Sequence, residues 1–206
     1  TIEYFSVSHN DEFTTIGAEA FMNSSLREVD LFDSVTTIGA RAFAGCAQLE
    51  ELTLPDLLTT IGEGALDGLT GLKKLVIKCD PALIPAGVFA NMPNLSEVTI
   101  ESGAVPAHMF AGSGVKALTL GEGVIEIGES AFADTLLSAA DLKHVTAIGA
   151  GAFANTAMTS VELPQAAAIG EGAFEGSALE SVRLSAAASV GERAFANTKL
   201  KQLVIP

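Results

Sequence analysis

The feature that most constrains this chain is a hexapeptide that returns nine times. It reads IGAEAF from Ile16, IGARAF from Ile38, IGEGAL from Ile61, IPAGVF from Ile84 and VPAHMF from Val105. It continues as IGESAF from Ile127, IGAGAF from Ile148, IGEGAF from Ile169 and VGERAF from Val190. The intervals are 22, 23, 23, 21, 22, 21, 21 and 21 residues. Self-similarity at such a period marks a stacked array. One unit cannot bury its own apolar side chains, and neighbouring units together create a continuous core.

A second motif runs in phase with the first, L-x-x-V-x-L. It appears as Leu26, Val29, Leu31; Leu49, Leu52, Leu54; Leu72, Leu75, Ile77; and Leu95, Val98, Ile100. Further copies are Val115, Leu118, Leu120; Leu137, Ala140, Leu142; Met158, Val161, Leu163; Leu179, Val182, Leu184; and Leu200, Leu203, Ile205. Its last two positions alternate with outward residues, the period-2 pattern of a strand with one buried face. Ile2, Phe5 and Val7 share the spacing, so the chain opens on a tenth strand.

Between strands the hexapeptide reads as one or two helical turns. Gly17 and its equivalents open each turn, with Pro85 and Pro106 in two copies, where a proline lacks only an N–H that has no intrahelical partner. The column Phe21, Phe43, Leu66, Phe89, Phe110, Phe132, Phe153, Phe174, Phe195 takes most of the Phe and is expected inside. Two residues on, Asn23, Gly45, Gly68, Asn91, Gly112, Asp134, Asn155, Gly176 and Asn197 form a column of Gly, Asn and Asp only. These residues tolerate left-handed backbone, which suggests a helix C-cap.

Composition agrees with a packed array. Apolar residues make up 49% of the 206 and charged residues 17%, which rules out an intrinsically disordered chain. No apolar run approaches the roughly 18 residues needed to cross a bilayer, and no basic, apolar-cored leader opens the sequence. A net charge of −14 argues against nucleic acid or anionic membrane as partner.

The unit L-x-x-V-x-L-P-x-x-x-x-x-I-G-x-x-A-F resembles the BspA-type leucine-rich repeat of bacterial surface proteins. LEELTLPDLLTTIGEGAL (Leu49 to Leu66) and VELPQAAAIGEGAF (Val161 to Phe174) carry it best. Leu66, Pro85, Pro106 and the short Ile100–Val105 connection depart from the pattern, which puts loop shape around the fourth and fifth repeats in question. The resemblance implies an α/β, right-handed leucine-rich-repeat solenoid. Its parallel sheet would hold about ten short strands, with short helical turns on the opposite side. Residues 1–206 then form one domain of nine repeats plus a tenth strand. Both ends stop at strands without polar capping modules, which points to a segment of a longer protein or to ends that associate with another copy. The resemblance further implies an extracellular or cell-surface location and adhesion to a protein or glycan ligand.

Nothing in the residues assembles a reaction centre. His9, His108 and His144 fall in unrelated repeat phases, without the spacing of a metal site. The Gly-x-Gly strings belong to the hexapeptide, and no G-x-S-x-G occurs. No nucleophile, base and oxyanion donors come together, so a non-enzyme without cofactor or metal is expected. Cys46 shares a column with Ser24, Leu69, Met92, Ser113, Thr135, Thr156, Ser177 and Thr198, so a buried position is expected. Cys79 lies in another phase, too far for a disulfide. Asn23-Ser24-Ser25 and Asn94-Leu95-Ser96 match the glycosylation sequon, but both asparagines have turn or cap roles.

The outward residues of the strands are the remaining candidates, because stacked strands offer a broad, rigid surface. They form two files. The candidate ligand-binding set is Glu51, Lys74 and Glu97 in one, and Thr53, Val76, Thr99, Thr119, Asp141, Glu162 and Arg183 in the other. An alternative role is a structural spacer that displays another domain.

Overall fold

A computed structural model describes residues 2–6, 12–185 and 189–204. The expectations that fall on Val7, His9 and Ile205 lie outside them. The chain winds into successive coils, each with a sheet strand, a short second strand and a turn segment. Coil 1 carries Tyr4–Ser6, Thr15–Ile16 and the turn 17–23; coil 2 carries Glu28–Asp30, Thr37–Ile38 and 39–45; coil 3 carries Glu51–Leu54, Thr60–Ile61 and 62–68. Coil 4 carries Lys74–Ile77 and 85–91. In coils 5 and 6 both strands merge into Glu97–Val105 and Ala117–Ile127, followed by the turns 106–112 and 128–134. Coil 7 has Ala147–Ile148 and 149–155; coil 8 has Ser160–Leu163, Ala168–Ile169 and 170–176; coil 9 has Ser181–Leu184, Ser189–Val190 and 191–197. Gln202–Val204 follows. Every strand pairing is parallel.

The Phe column lies inside as expected. Phe43, Phe89, Phe110, Phe132, Phe153 and Phe174 are fully buried, and Leu66 takes the same place. Consecutive rings stack nearly parallel, 5.2 Å apart for Phe110–Phe132 and 5.5 Å for Phe132–Phe153. Inward residues of both strand files, such as Leu52, Leu75, Ile38 and Ile127, close the core around them.

The expected helical turns are not there, and with them goes the α half of the α/β expectation. The one helix among the described residues is a 3-10 turn, Pro81–Leu83. The Asn/Gly/Asp column does adopt positive φ throughout, from 54° at Asn91 to 73° at Gly68. A second left-handed column stands four residues earlier: Glu19, Arg41, Gly64, Gly87, His108, Ser130, Gly151, Gly172 and Arg193. Two left-handed residues per segment rule out α-helix and instead suit tight turns whose third residue needs φ > 0. The hydrogen bonds show the result. Ala20, Met22 and Ser24 donate three residues back, to Gly17, Glu19 and Phe21. Glu19, Phe21 and Asn23 donate sideways to Ala40, Ala42 and Ala44 of the next coil at 2.9, 2.8 and 2.8 Å. The segment is a turn ladder, with its donors spent between coils.

The sheet also differs from the continuous ten strands expected. Nine sheet-face strands are described, in a run of six from Tyr4–Ser6 to Ala117–Ile127 and a run of three from Ser160–Leu163 to Gln202–Val204. Residues 139–142 of coil 7 form no strand. There Ala140 replaces the branched residue of the motif, and alanine gives little of the packing that favours a pleated surface. The second file is interrupted at coil 4. In most coils the glycine N–H of the hexapeptide donates to the preceding coil, for example Gly62 to Ile38 and Gly149 to Ile127, both at 2.8 Å. Pro85 and Pro106 have no N–H to give, so the departures noted in the sequence are where this ladder stops.

A file of buried hydroxyls follows the Phe column. Ser113, Thr135, Thr156 and Ser177 donate to the carbonyls of Phe110, Phe132, Phe153 and Phe174 at 2.6, 2.8, 2.9 and 2.7 Å. The Phe110 and Phe174 carbonyls also accept a backbone N–H, from Ser113 and Ser177 respectively, whereas the Thr156 hydroxyl is the partner of Phe153. Thr156→Val therefore leaves a buried carbonyl unpaired and should cost about 1–3 kcal/mol, with Ser113→Ala costing less. Urea unfolding of the two variants checks the difference; equal losses would mean that the hydroxyls merely fill space. Cys46 continues the file, its thiol 3.1 Å from the Phe21 carbonyl. Cys46 and Cys79 are both buried and free, and burial pushes the Cys79 thiol up to about 11.

Candidate functional site

The outward residues of the sheet face are brought together as their alternation required. In-register pairing sets Glu51 beside Lys74, Lys74 beside Glu97 and Glu97 beside Ala117. The second file runs Thr53, Val76, Thr99, Thr119 across the same rungs, and Glu162 stands beside Arg183 in the later run. Glu51, Lys74, Glu97, Thr119, Glu162 and Arg183 are exposed, while Thr53, Val76 and Thr99 are half-buried. Asp141 is exposed too, and it belongs to the stretch without a strand.

Charges on this face pair between or within coils. Lys74 Nζ lies 3.7 Å from Glu51 Oε2, and Lys73 Nζ lies 2.8 Å from Glu50 Oε2. Lys201 reaches Glu180 at 2.9 Å. The lysine partners hold the Glu50 and Glu180 carboxyls below the ordinary carboxylate range, through the hydrogen bond first and the charge second. Asp141 is lowered in the same way by Lys143, whose Nζ is 3.1 Å away and whose backbone N–H also donates to it. These groups are solvated, so the pairs orient side chains more than they stabilise the fold.

Two open hollows lie on the later part of the face. One, of about 410 Å³, is lined by Ser160, Glu162, Ser181, Arg183, Gln202 and Val204. The other, of about 400 Å³, spans Ala139, Asp141, Lys143, Ser160, Glu162 and Pro164. Sequence reasoning did not single out Lys143 or the serines. The signal was the file itself, which passes from Glu97 to Ala117, Ala139, Ser160 and Ser181 and so lowers the floor beside the charged file. The turn face offers a third hollow, lined by Glu129, Ser130, Asn155, Glu171 and Glu175 among others. His108 is exposed in the left-handed column there, 4.0 Å from Glu129, as a solvated residue. Among the described residues no group of His, Cys, Asp and Glu is placed to hold a metal ion, and no helix is long and apolar enough to cross a membrane. The sequon asparagines serve the fold: Asn23 is left-handed, and the Asn94 amide donates to the Thr70 carbonyl at 2.9 Å.

One solved structure shares the fold, and others are similar in sequence and extent. A leucine-rich repeat protein from Bacteroides ovatus matches 98% of this chain and 69% of its own, with 18% identity and a TM-score of 0.50. A leucine rich cell surface protein from Faecalibacterium prausnitzii matches 98% and 69% with 19% identity and a TM-score of 0.40. A leucine-rich repeat protein from Eubacterium ventriosum matches 99% and 67% with 17% identity and a TM-score of 0.37. No curated protein sequence matches the chain. The pattern described as the BspA type leucine rich repeat region matches residues 14–138 and 103–206, in six copies. With the hexapeptide, the in-phase strands and the stacked Phe column, that match over nearly the whole length means that the chain belongs to the BspA-type leucine-rich repeat family.

Proposed function

We propose that this protein is a non-enzymatic, extracellular or cell-surface binding module that engages a protein or glycan ligand through its sheet face. The reading is supported by the family and by the distribution of charge. The turn face carries Glu19, Glu63, Asp67, Glu129, Asp134, Glu171 and Glu192 against Arg41 and Arg193. The sheet face, by contrast, intersperses Arg27, Lys73, Lys74, Lys116, Arg183 and Lys201 with its acids. Nine of the eleven Lys and Arg residues thus lie off the turn face, which keeps only Arg41 and Arg193. The sheet face is the side least repelled by other acidic surfaces.

The candidate residues are those of the two files: Glu51, Lys74, Glu97, Thr53, Val76, Thr99, Thr119, Asp141, Glu162 and Arg183. Probing an array of purified extracellular-matrix proteins and defined glycans tests the assignment, using the wild type alongside Lys74→Glu and Arg183→Glu. A ligand bound by this face should lose at least about tenfold in affinity with one of these exposed variants while the melting temperature stays put, and rising salt should weaken it further. Affinity indifferent to salt would move the site to the Val76, Thr99, Thr119 stretch. A ligand held equally by all three proteins would overturn the sheet-face assignment. No binding anywhere on the array would favour the second role, a spacer that displays another domain.

A further inference from the structure

The coils are not joined equally. From coil 1 through coil 3 the turn ladder is complete, and it is complete again from coil 5 through coil 9; between coils 4 and 5 only Asn91 donates, to Ala111 at 2.8 Å. Between coils 3 and 4 it is missing. Gly64, Leu66 and Gly68 should donate to Ala86, Val88 and Ala90, as Arg41, Phe43 and Gly45 donate to Glu63, Ala65 and Asp67 one coil earlier. Among the described residues none of those three bonds forms. The second file is also open at this boundary, because Pro85 cannot donate to Ile61. The Asp80–Ile84 stretch spends its donors locally instead. The Asp80 carboxylate accepts the Ala82 N–H at 3.0 Å, Leu83 donates to Asp80 at 3.1 Å and Ile84 to Pro81 at 3.0 Å. The aromatic stack is broken at the same level, by Leu66 between Phe43 and Phe89, and the next stacked pair, Phe89–Phe110, has the longest spacing at 5.9 Å. Only the sheet face is whole, with Glu51–Leu54 fully in register with Lys74–Ile77.

From this coincidence we infer that the boundary between coils 3 and 4 is a hinge. The sheet face stays zipped along Glu51–Ile77 and acts as the axis. The turn face opens and closes, because the turn segments 62–68 and 85–91 share no backbone bond among the described residues. In an array whose cohesion is the sum of neighbour-to-neighbour terms, flexure concentrates where one such term is weakest. The motion changes the curvature of the sheet between Glu51, Thr53 and Lys74, Val76. The hinge stands on the missing ladder and would remain if the proposed ligand face proved wrong.

Spin labels on the turn-face column test it, in a chain whose Cys46 and Cys79 are replaced by serine and alanine. Ala18 and Ala107 lie four coils apart across the boundary; Ala107 and Glu192 lie four coils apart beyond it, so each pair spans about 19 Å of stacking. Glu28 and Ala117 span the boundary on the sheet face. The hinge requires a broad distance distribution for the first pair and narrow ones for the other two. Equal widths for the two turn-face pairs would overturn it. Hydrogen exchange in the unmodified chain is the independent reading. The amides of Gly64 and Leu66, which among the described residues have no backbone partner in coil 4, should exchange at least about tenfold faster than those of Phe43 and Phe132. Comparable protection at all four would likewise overturn the hinge.

Discussion

Phe132→Ala should lower stability by about 3–5 kcal/mol, the range for emptying a buried aromatic site. The ring is fully buried and stacked on Phe110 and Phe153 at 5.2 and 5.5 Å, so its removal leaves a void bounded above and below by rings fixed in the neighbouring coils. Collapse into that void would have to pull apart the Phe132–Ala152 and Phe110–Ala131 backbone bonds of 2.8 and 2.9 Å. The surroundings therefore relax little, and the cost falls toward the upper part of the range. Phe132→Leu should lose far less, because Leu66 already occupies the equivalent place with 1% exposure. A urea midpoint unmoved by the alanine variant would remove Phe132 from the core, and with it the stacked interior on which the fold rests.

The second large effect is expected from a single methyl group. A Cβ at Gly170 would lie 2.5 Å from the Ala150 nitrogen and 2.6 Å from the Gly149 carbonyl carbon. Both are backbone atoms of coil 7, pinned by the ladder, so neither can rotate away. Gly39, Gly62, Gly149 and Gly191 meet the preceding coil in the same manner. Gly170→Ala should destabilise by about 1–3 kcal/mol, the usual cost of overpacking a close contact. Gly17→Ala is the internal control. Its Cβ would meet nothing within 4 Å, and the lost freedom of the unfolded chain should make it neutral or stabilising by up to about 1 kcal/mol. Thermal unfolding of the pair separates a steric cause from a conformational one. If the two alanines shift the melting temperature alike, close approach of coils is not why glycine stands there.

These glycines show what sequence reading saw and what it misjudged. The hexapeptide places them, and its pattern alone suggests the first residues of helices. Their place is where one coil passes within a methyl group's reach of the next. The composition of the Asn/Gly/Asp column predicts its left-handed backbone, but the column closes turns and not helices. The companion column went unseen because Glu19, Arg41, His108, Ser130 and Arg193 are unremarkable in a helix, and only the interspersed Gly64, Gly87, Gly151 and Gly172 hinted otherwise. Left-handed backbone costs such residues about 1–2 kcal/mol each, and the bonds between coils offset it. Those bonds do not exist in any one repeat taken alone.

The candidate surface divides along the same line. Strand alternation fixed which residues face outward, so the files Glu51, Lys74, Glu97 and Thr53, Val76, Thr99, Thr119 stand as read. Asp141 is exposed too, but without a strand, because Ala140 stands where the motif has a branched residue. The linear chain was enough to specify the stacked architecture, its buried aromatic column and its outward files, since periodicity decides which side chains must leave water. The path of the backbone between strands, the break at coil 7 and the open seam at coil 4 were settled only in three dimensions. Each depends on whether a peptide group finds its partner a whole coil away, some 21 to 23 residues along the chain. No local propensity records that.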